Sequence, residues 1–167
     1  VKHILDIELV DIQNFHPNCK ESECPLQWHN KCFADWIDHV IHNFYSFFSN
    51  DISYILIERQ PPLGLVAVEQ LIMSKFRNKA HLIHPRSIHS YFKCSHLDYE
   101  SRKKHMEKIT LKKIISYPDI YQKYKNFERQ HDIADALCQI IFFLYKLRKK
   151  KTHTKRNKNL KQDLEYI

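Results

Sequence analysis

Hydrophobic and polar positions follow two different periods over residues 33–84. Apolar side chains recur at helical spacing over 33–49 and again over 64–76, which predicts two helices that each bury one side. Two short apolar runs, 52–60 and 80–84, are rich in β-favouring residues and are closed by prolines. The order helix, strand, helix, strand predicts crossover units on a parallel sheet, and therefore an α/β domain.

The rest of the chain is less regular. Residues 3–12 alternate loosely and predict one strand, or the ends of two. Helical spacing returns over 101–116 and is clearest over 132–146. The segments 87–100 and 118–130 are polar and aromatic, and we expect them to be irregular connections.

Length and charge narrow the class of protein. The 167 residues predict one domain over 1–147, followed by a solvated basic tail over 148–167. A formal charge of +8 favours an anionic partner, nucleic acid before a membrane, although the tail alone accounts for part of the excess. The single glycine, Gly64, excludes glycine-rich phosphate loops. No run is long and apolar enough to span a bilayer, and no secretory leader is visible.

Three carboxylates stand at positions that suit metal chemistry. Glu58 follows a buried run, at the strand end where open α/β sheets place their chemistry, although it could also be a polar residue leaving a core strand. Asp132 and Asp135 are three apart and share one helix face. Helix capping explains Asp132 well but explains Asp135 poorly, because Asp135 lies inside an apolar run. Three hard oxygen ligands suit Mg²⁺ or Mn²⁺, and two such ions stabilise the attacking and leaving oxygens at a phosphodiester.

Three segments together resemble one enzyme family. ILIERQ at 55–60, YESRKK at 99–104 and HDIADA at 131–136 resemble, in this order, the poxvirus-type Holliday junction resolvases and their fungal mitochondrial relatives. These belong to the RuvC-like branch of the RNase H fold, and the resemblance covers residues 50–145. It implies an RNase H-like mixed sheet flanked by helices. It also implies a Mg²⁺- or Mn²⁺-dependent endonuclease that resolves four-way DNA junctions during replication or recombination.

The resemblance also implies a set of site residues. The acidic positions that hold the catalytic metals in the family correspond to Glu58, Asp132 and Asp135, and Lys103, or alternatively Lys104, would assist in the active site. Residues near the DNA phosphates would be Arg59, Gln60, Arg102, Lys103 and Lys104.

A four-way junction has two-fold symmetry, which predicts a homodimer that makes paired nicks. The apolar surface of the last helix could form part of the dimer interface, or could equally be core; it comprises Ile141, Phe142, Phe143 and Tyr145. The viral resemblance places the protein in the host cytoplasm, and the fungal one in the mitochondrion.

One departure from the family concerns its first strand, which carries an essential aspartate followed closely by a glycine. No glycine lies near the start of this chain. We expect that the 167 residues begin downstream of that strand. Alternatively, Asp6 or Asp11 takes the place of the aspartate, or the protein is a non-catalytic nucleic-acid-binding module with a degenerate core.

Residues 14–32 form a polar insertion that is rich in cysteine and histidine. Its five soft side chains within seventeen residues suit tetrahedral Zn²⁺, although their spacing matches no standard finger and a plain loop with reduced thiols is the alternative. An odd total of five cysteines argues against a disulfide framework and for a reducing compartment. The expected structural zinc ligands are Cys19, Cys24, His29 and Cys32, with His16 nearby.

Overall fold

A computed structural model describes residues 4–10, 24–26 and 28–164, with side chains described as far as residue 150. Over these residues it is a mixed α/β structure with six α-helices and a two-stranded parallel sheet. The chain divides into two compact units, which we call the sheet unit (Glu8–Ser87) and the helical unit (Val1–Ile7 with Ile88–Ile167). The elements are α1 (Phe33–Asn43), a 3-10 turn (Tyr45–Phe47), β1 (Ile55–Glu58), α2 (Val66–Lys75), β2 (Ala80–Ile83), α3 (Pro85–Tyr91), α4 (Tyr99–Ile114), α5 (Pro118–Lys125) and α6 (Gln130–Leu164).

The two strands pair in parallel, as the alternation of strand and helix predicted. Their register runs from Ile55 opposite Ala80 to Glu58 opposite Ile83, and α2 forms the crossover between them. Ile57, Ala80 and Ile83 are buried, because parallel strands need cover on their faces. Glu58 is therefore the last residue of β1, at its carboxyl end.

Helix α1 ends six residues earlier than the pattern predicted, at Asn43. The predicted apolar stripe continued through Phe44 and Phe47, but Phe44 is the C-cap and Phe47 lies in the 3-10 turn. The buried side of α1 instead combines the apolar Ile37 and Val40 with two polar residues, Asp35 and His39.

Packing of α4 against α6 forms the core of the helical unit. The Thr110 hydroxyl is fully buried and donates to the Ala134 carbonyl oxygen across this contact, at 3.4 Å. Met106 and Ile114 from α4, with Leu137 from α6, complete the apolar surroundings. Two apolar residues of the helical pattern over 101–116, Leu111 and Ile115, are exposed and do not join this core.

Two segments predicted to be irregular contain helices. Pro85 opens α3 and Pro118 opens α5, in agreement with the preference of proline for the first helical turn. Conversely, the strand predicted over 3–12 is absent from the described residues 4–10.

Helix α6 continues to Leu164, so the predicted basic tail from residue 148 begins inside a helix. Within the described part of the chain, no helix combines the length and the apolarity that crossing a bilayer requires. In α6 the stretch after residue 145 is crowded with lysine and arginine.

Candidate functional site

The acidic pair predicted on the last helix lies in the first two turns of α6. Asp135 is half-buried among buried neighbours, Ala134 and Leu137. Burial and then the negative charge of Asp132 raise the pKa of the Asp135 carboxyl, against opposing effects of His131 and Lys103. The protein therefore keeps a carboxylate where its charge is unfavourable, which is a property of functional sites more often than of helix caps.

Asp132 is more accessible and is held by two neighbours on its own turn. Its two carboxylate oxygens lie 2.6 Å from an Arg129 guanidinium nitrogen and 3.3 Å from Nε2 of His131. The Arg129 side chain is 66% exposed, so this ion pair adds little to stability. Another cation could therefore replace Arg129 at the Asp132 carboxylate at little cost.

Lys103 reaches the same region from α4. Its ammonium nitrogen lies 4.3 Å from the centre of the Tyr99 ring. A hydrogen bond with Tyr99 raises the pKa of Lys103, and the negative charges of Glu100 and Asp132 act in the same direction. Lys103 therefore stays cationic at neutral pH, and suits phosphate binding rather than proton abstraction.

The two neighbours of Lys103 differ in what they contact. The Arg102 guanidinium donates a 2.6 Å hydrogen bond to the Leu97 carbonyl oxygen and so fixes the loop that leads into α4. Lys104 is exposed. Of the predicted basic triplet, Lys103 and Lys104 can therefore meet a phosphate without losing a contact that the loop needs.

Glu58, Arg59 and Gln60 leave β1 in the sheet unit. The Arg59 N–H extends the ladder by donating to the Ile83 carbonyl oxygen at 2.9 Å, and its side chain is exposed. The Gln60 side chain instead braces the turn that follows, because its Oε1 accepts from the Leu65 N–H and its Nε2 donates to the Glu58 carbonyl. The predicted DNA contact by Gln60 stays a prediction, and its hydrogen bonds here are internal.

Gly64 closes this turn for a steric reason. A Cβ atom at this position would lie 2.9 Å from Cδ of Pro61 and 3.0 Å from Oε1 of Gln60. Real Cβ contacts are longer, and a proline ring cannot swing aside. The single glycine of the chain thus allows the turn to fold tightly behind the end of β1.

Sequence reasoning missed a second carboxylate beside this strand end, Glu69. It is 4% exposed on α2, and it accepts hydrogen bonds from the Gln60 N–H at 2.6 Å and from the Gln70 amide at 2.9 Å. The available signal was a glutamate inside the apolar run of α2, between Val68 and Leu71.

The structure thus brings Asp132, Asp135 and Lys103 together in the helical unit. Glu58 belongs to the sheet unit, and its sharing of a metal ion with the aspartate pair stays a prediction. Asp6, one alternative for the missing aspartate, instead bonds the Lys123 ammonium at 2.8 Å, and this bond lowers the Asp6 pKa. The other alternative, Asp11, lies outside the described residues.

The cysteine and histidine side chains that lie close together differ from the predicted set of zinc ligands. Ligand atoms of Cys24, His29 and His39 all lie within 4.8 Å of one another. The predicted ligand Cys32 is not one of the three, because it is the exposed N-cap residue of α1. Cys19 and His16 lie outside the described residues. His39 was missed because it stands seven residues beyond the cluster, on the buried side of a helix.

No protein-family model matches the sequence, and no curated protein or solved structure matches it either. The functional argument therefore depends on the chemistry of the residues themselves.

Proposed function

We propose that this protein is a metal-dependent endonuclease that cleaves branched DNA, with the four-way junction as its substrate. The half-buried Asp135 carries the proposal, because its pKa is raised by burial and by the neighbouring Asp132. A carboxylate held at this electrostatic disadvantage gains most when a cation binds to it. An RNase H-like arrangement of the α/β elements is part of the same proposal.

The residues fit a hard divalent ion. Asp132 and Asp135 offer carboxylate oxygens from one helix face, and Mg²⁺ prefers one or two carboxylates with water completing its shell. When bound, Mg²⁺ supplies Lewis-acid activation of water and stabilises charge on the leaving oxygen. We assign Glu58 at the end of β1 as the third carboxylate of this reaction.

Lys103 and Lys104 supply the phosphate contacts in this proposal. Lys103 lies over the Tyr99 ring and interacts electrostatically with Asp132, which supports a role in binding a phosphate near the aspartate pair. Such contacts carry no sequence information, and they suit an enzyme that recognises the shape of a junction.

A homodimer matches the two-fold symmetry of the substrate. Helix α6 supports this part of the proposal, because Ile140 and Tyr145 are 40% and 37% exposed on it. Phe142, which the sequence also offered for an interface, is buried and lies 5.6 Å from the Tyr91 ring, so it belongs to the core.

Cleavage of a labelled four-way junction in Mg²⁺ tests the proposal. We expect the parent protein to cut the junction and to leave linear duplex intact, and Asp135→Asn to cut it about 100-fold more slowly or worse. Asp119→Asn is the matched control, since it removes an exposed carboxylate from the start of a neighbouring helix. Equal rates for the parent and Asp135→Asn would overturn the assignment.

A non-catalytic nucleic-acid-binding module is the second candidate. The contacts of Asp132 favour it, because Arg129 forms an ion pair with this carboxylate and His131 also contacts it. This candidate predicts that the parent binds the junction equally well with Mg²⁺ or with a chelator and cuts it in neither.

A further inference from the structure

Three soft side chains in the sheet unit approach one another closely enough to share a metal ion. The Sγ atom of Cys24 lies 3.5 Å from Nε2 of His39. In a tetrahedral zinc site, Zn–S and Zn–N bonds of about 2.3 and 2.1 Å place sulfur and nitrogen about 3.6 Å apart. The rings of His29 and His39 meet edge to face with their centres 5.1 Å apart, and the ligand atoms of all three residues lie within 4.8 Å.

The hydrogen bonding of His39 leaves the correct nitrogen for a metal. His39 is 1% exposed, and its Nδ1 lies 2.6 Å from the Asp35 carbonyl oxygen. A carbonyl oxygen can only accept, so Nδ1 carries the proton and donates. In the neutral ring Nε2 is then the nitrogen without a proton, and it is Nε2 that contacts Cys24. Metal-binding histidines commonly show this arrangement, with the second nitrogen donating to a backbone carbonyl.

Asp35 positions both His39 and the segment that contains His29. Its carbonyl orients His39 from the same helix, and its buried carboxylate accepts the N–H of Asn30, one residue after His29. This carboxylate lies in the first turn of α1, where the helix dipole stabilises negative charge. The segment that carries His29 is therefore positioned against α1 by a contact that does not involve the three ligands.

A simple hydrogen bond between thiol and imidazole is the main alternative. It would account for the distance between Cys24 and His39, but it would not explain why a second imidazole, that of His29, lies beside them. The presence of His29 beside both of them is what points to a metal, because a thiolate with two imidazoles is a donor set that zinc prefers.

We propose that Cys24, His29 and His39 bind one Zn²⁺ ion, which fastens Cys24 and His29 to α1. Binding displaces the proton of the Cys24 thiol to solvent, and the three residues leave one coordination position for a further ligand. The ion would join two segments of the sheet unit, so its loss would lower stability without removing any carboxylate of the proposed nuclease site.

Zinc affinity of the full chain, measured by competition with a chromophoric chelator, tests this site. We expect the parent to bind one equivalent, and Cys24→Ser to bind at least about 100-fold more weakly. Cys32→Ser is the matched control, because it removes an exposed thiol from the same segment and should leave the affinity unchanged. Loss of zinc binding in Cys32→Ser, or parental affinity in Cys24→Ser, would overturn the ligand set.

His39→Asn removes the Nε2 ligand while its side-chain amide can still donate to the Asp35 carbonyl. It should lose zinc affinity in the same way, and His29→Gln, at a more accessible position, keeps the test valid if His39→Asn does not fold. Cobalt loading gives an independent readout. The parent should show the visible bands of tetrahedral Co²⁺ with a thiolate charge-transfer band, and the charge-transfer band should be missing in Cys24→Ser. A parent protein that takes up neither metal would refute the proposal.

Discussion

The backbone N–H of Gln60 donates a 2.6 Å hydrogen bond to the buried carboxylate of Glu69. This contact joins the end of β1 to α2 and sets the direction in which the chain leaves the strand. The buried Glu69 carboxylate thus has a structural role, because it positions the segment that contains Glu58.

Glu69→Ala should lower the free energy of unfolding by about 1.5–3 kcal/mol, because it leaves the Gln60 N–H without its charged acceptor. Glu69→Gln keeps an acceptor oxygen and should cost less. Urea unfolding of both variants measures the difference. Ser74→Ala, at an exposed position of the same helix, should change stability by no more than about 0.5 kcal/mol. A Glu69→Ala variant as stable as the parent would show that this bond does not hold the turn.

Asp135 gives a prediction about pH. Its pKa is raised above the ordinary aspartate value of 3.8 by burial and by Asp132, so the folded protein holds this proton more tightly than the unfolded chain does. Its contribution to stability is therefore present below pH 3.8 and is lost as pH rises through the folded-state pKa.

It follows that Asp135→Asn should be more stable than the parent at neutral pH, and that the difference should vanish in acid. Urea unfolding across a pH series checks this, with Asp51→Asn, at an exposed turn position, as the control. A gain in stability together with a loss of cleavage is the expected signature of a carboxylate retained for function. Destabilisation of Asp135→Asn at neutral pH would contradict the electrostatic argument.

The basic face of α4 gives a prediction about salt. Lys103→Gln and Lys104→Gln should each reduce the slope of log binding constant against log salt concentration by about 0.9, which corresponds to one lost phosphate contact. Fluorescence anisotropy on a four-way junction measures the slope. Lys125→Gln, the same charge change on α5, should leave it unaltered. Identical slopes for all three variants would remove α4 from the DNA interface.

The cysteines should differ sharply in reactivity. Cys94 and Cys138 are fully buried in the helical unit, and burial raises the pKa of both thiols, that of Cys138 to about 12. Because the thiolate is the reactive form, neither should be alkylated in the folded protein, whereas the exposed Cys32 should react. Peptide mass mapping after brief iodoacetamide treatment checks this, with guanidinium-unfolded protein as the positive control. Rapid labelling of Cys138 would contradict the packing of α4 on α6.

The sheet could be predicted because its signal is local. The apolar runs that became β1 and β2 are short and end at prolines, and the helical stretch between them requires a parallel crossover. The helices α3 and α5 were missed because their segments are polar and aromatic and lack a clear apolar stripe, and the helix-starting role of Pro85 and Pro118 was not used. Similarly, α4 begins two residues early because Asp98 caps it by accepting from the N–H and hydroxyl of Ser101.

At the candidate sites, the sequence could predict some residues but not the side-chain contacts that depend on the three-dimensional fold. Asp135 could be singled out because it interrupts an apolar run, and the structure leaves it half-buried there. His39 could not, because spacing along the chain groups neighbours in sequence, whereas the fold brings this helical side chain to Cys24 from fifteen residues away. Arg102 matched a basic motif, but its bond to Leu97 is set by a loop that the sequence did not specify.

Cleavage of a four-way junction by Glu58→Gln tests the central claim most directly, because Glu58 lies in the sheet unit and the aspartate pair in the helical unit. The proposal predicts that this variant binds the junction with parental affinity in the presence of a chelator, yet cuts it about 100-fold more slowly or worse when Mg²⁺ is added. Cleavage by Glu58→Gln at the parental rate would contradict the proposal that the three carboxylates serve one metal-dependent reaction.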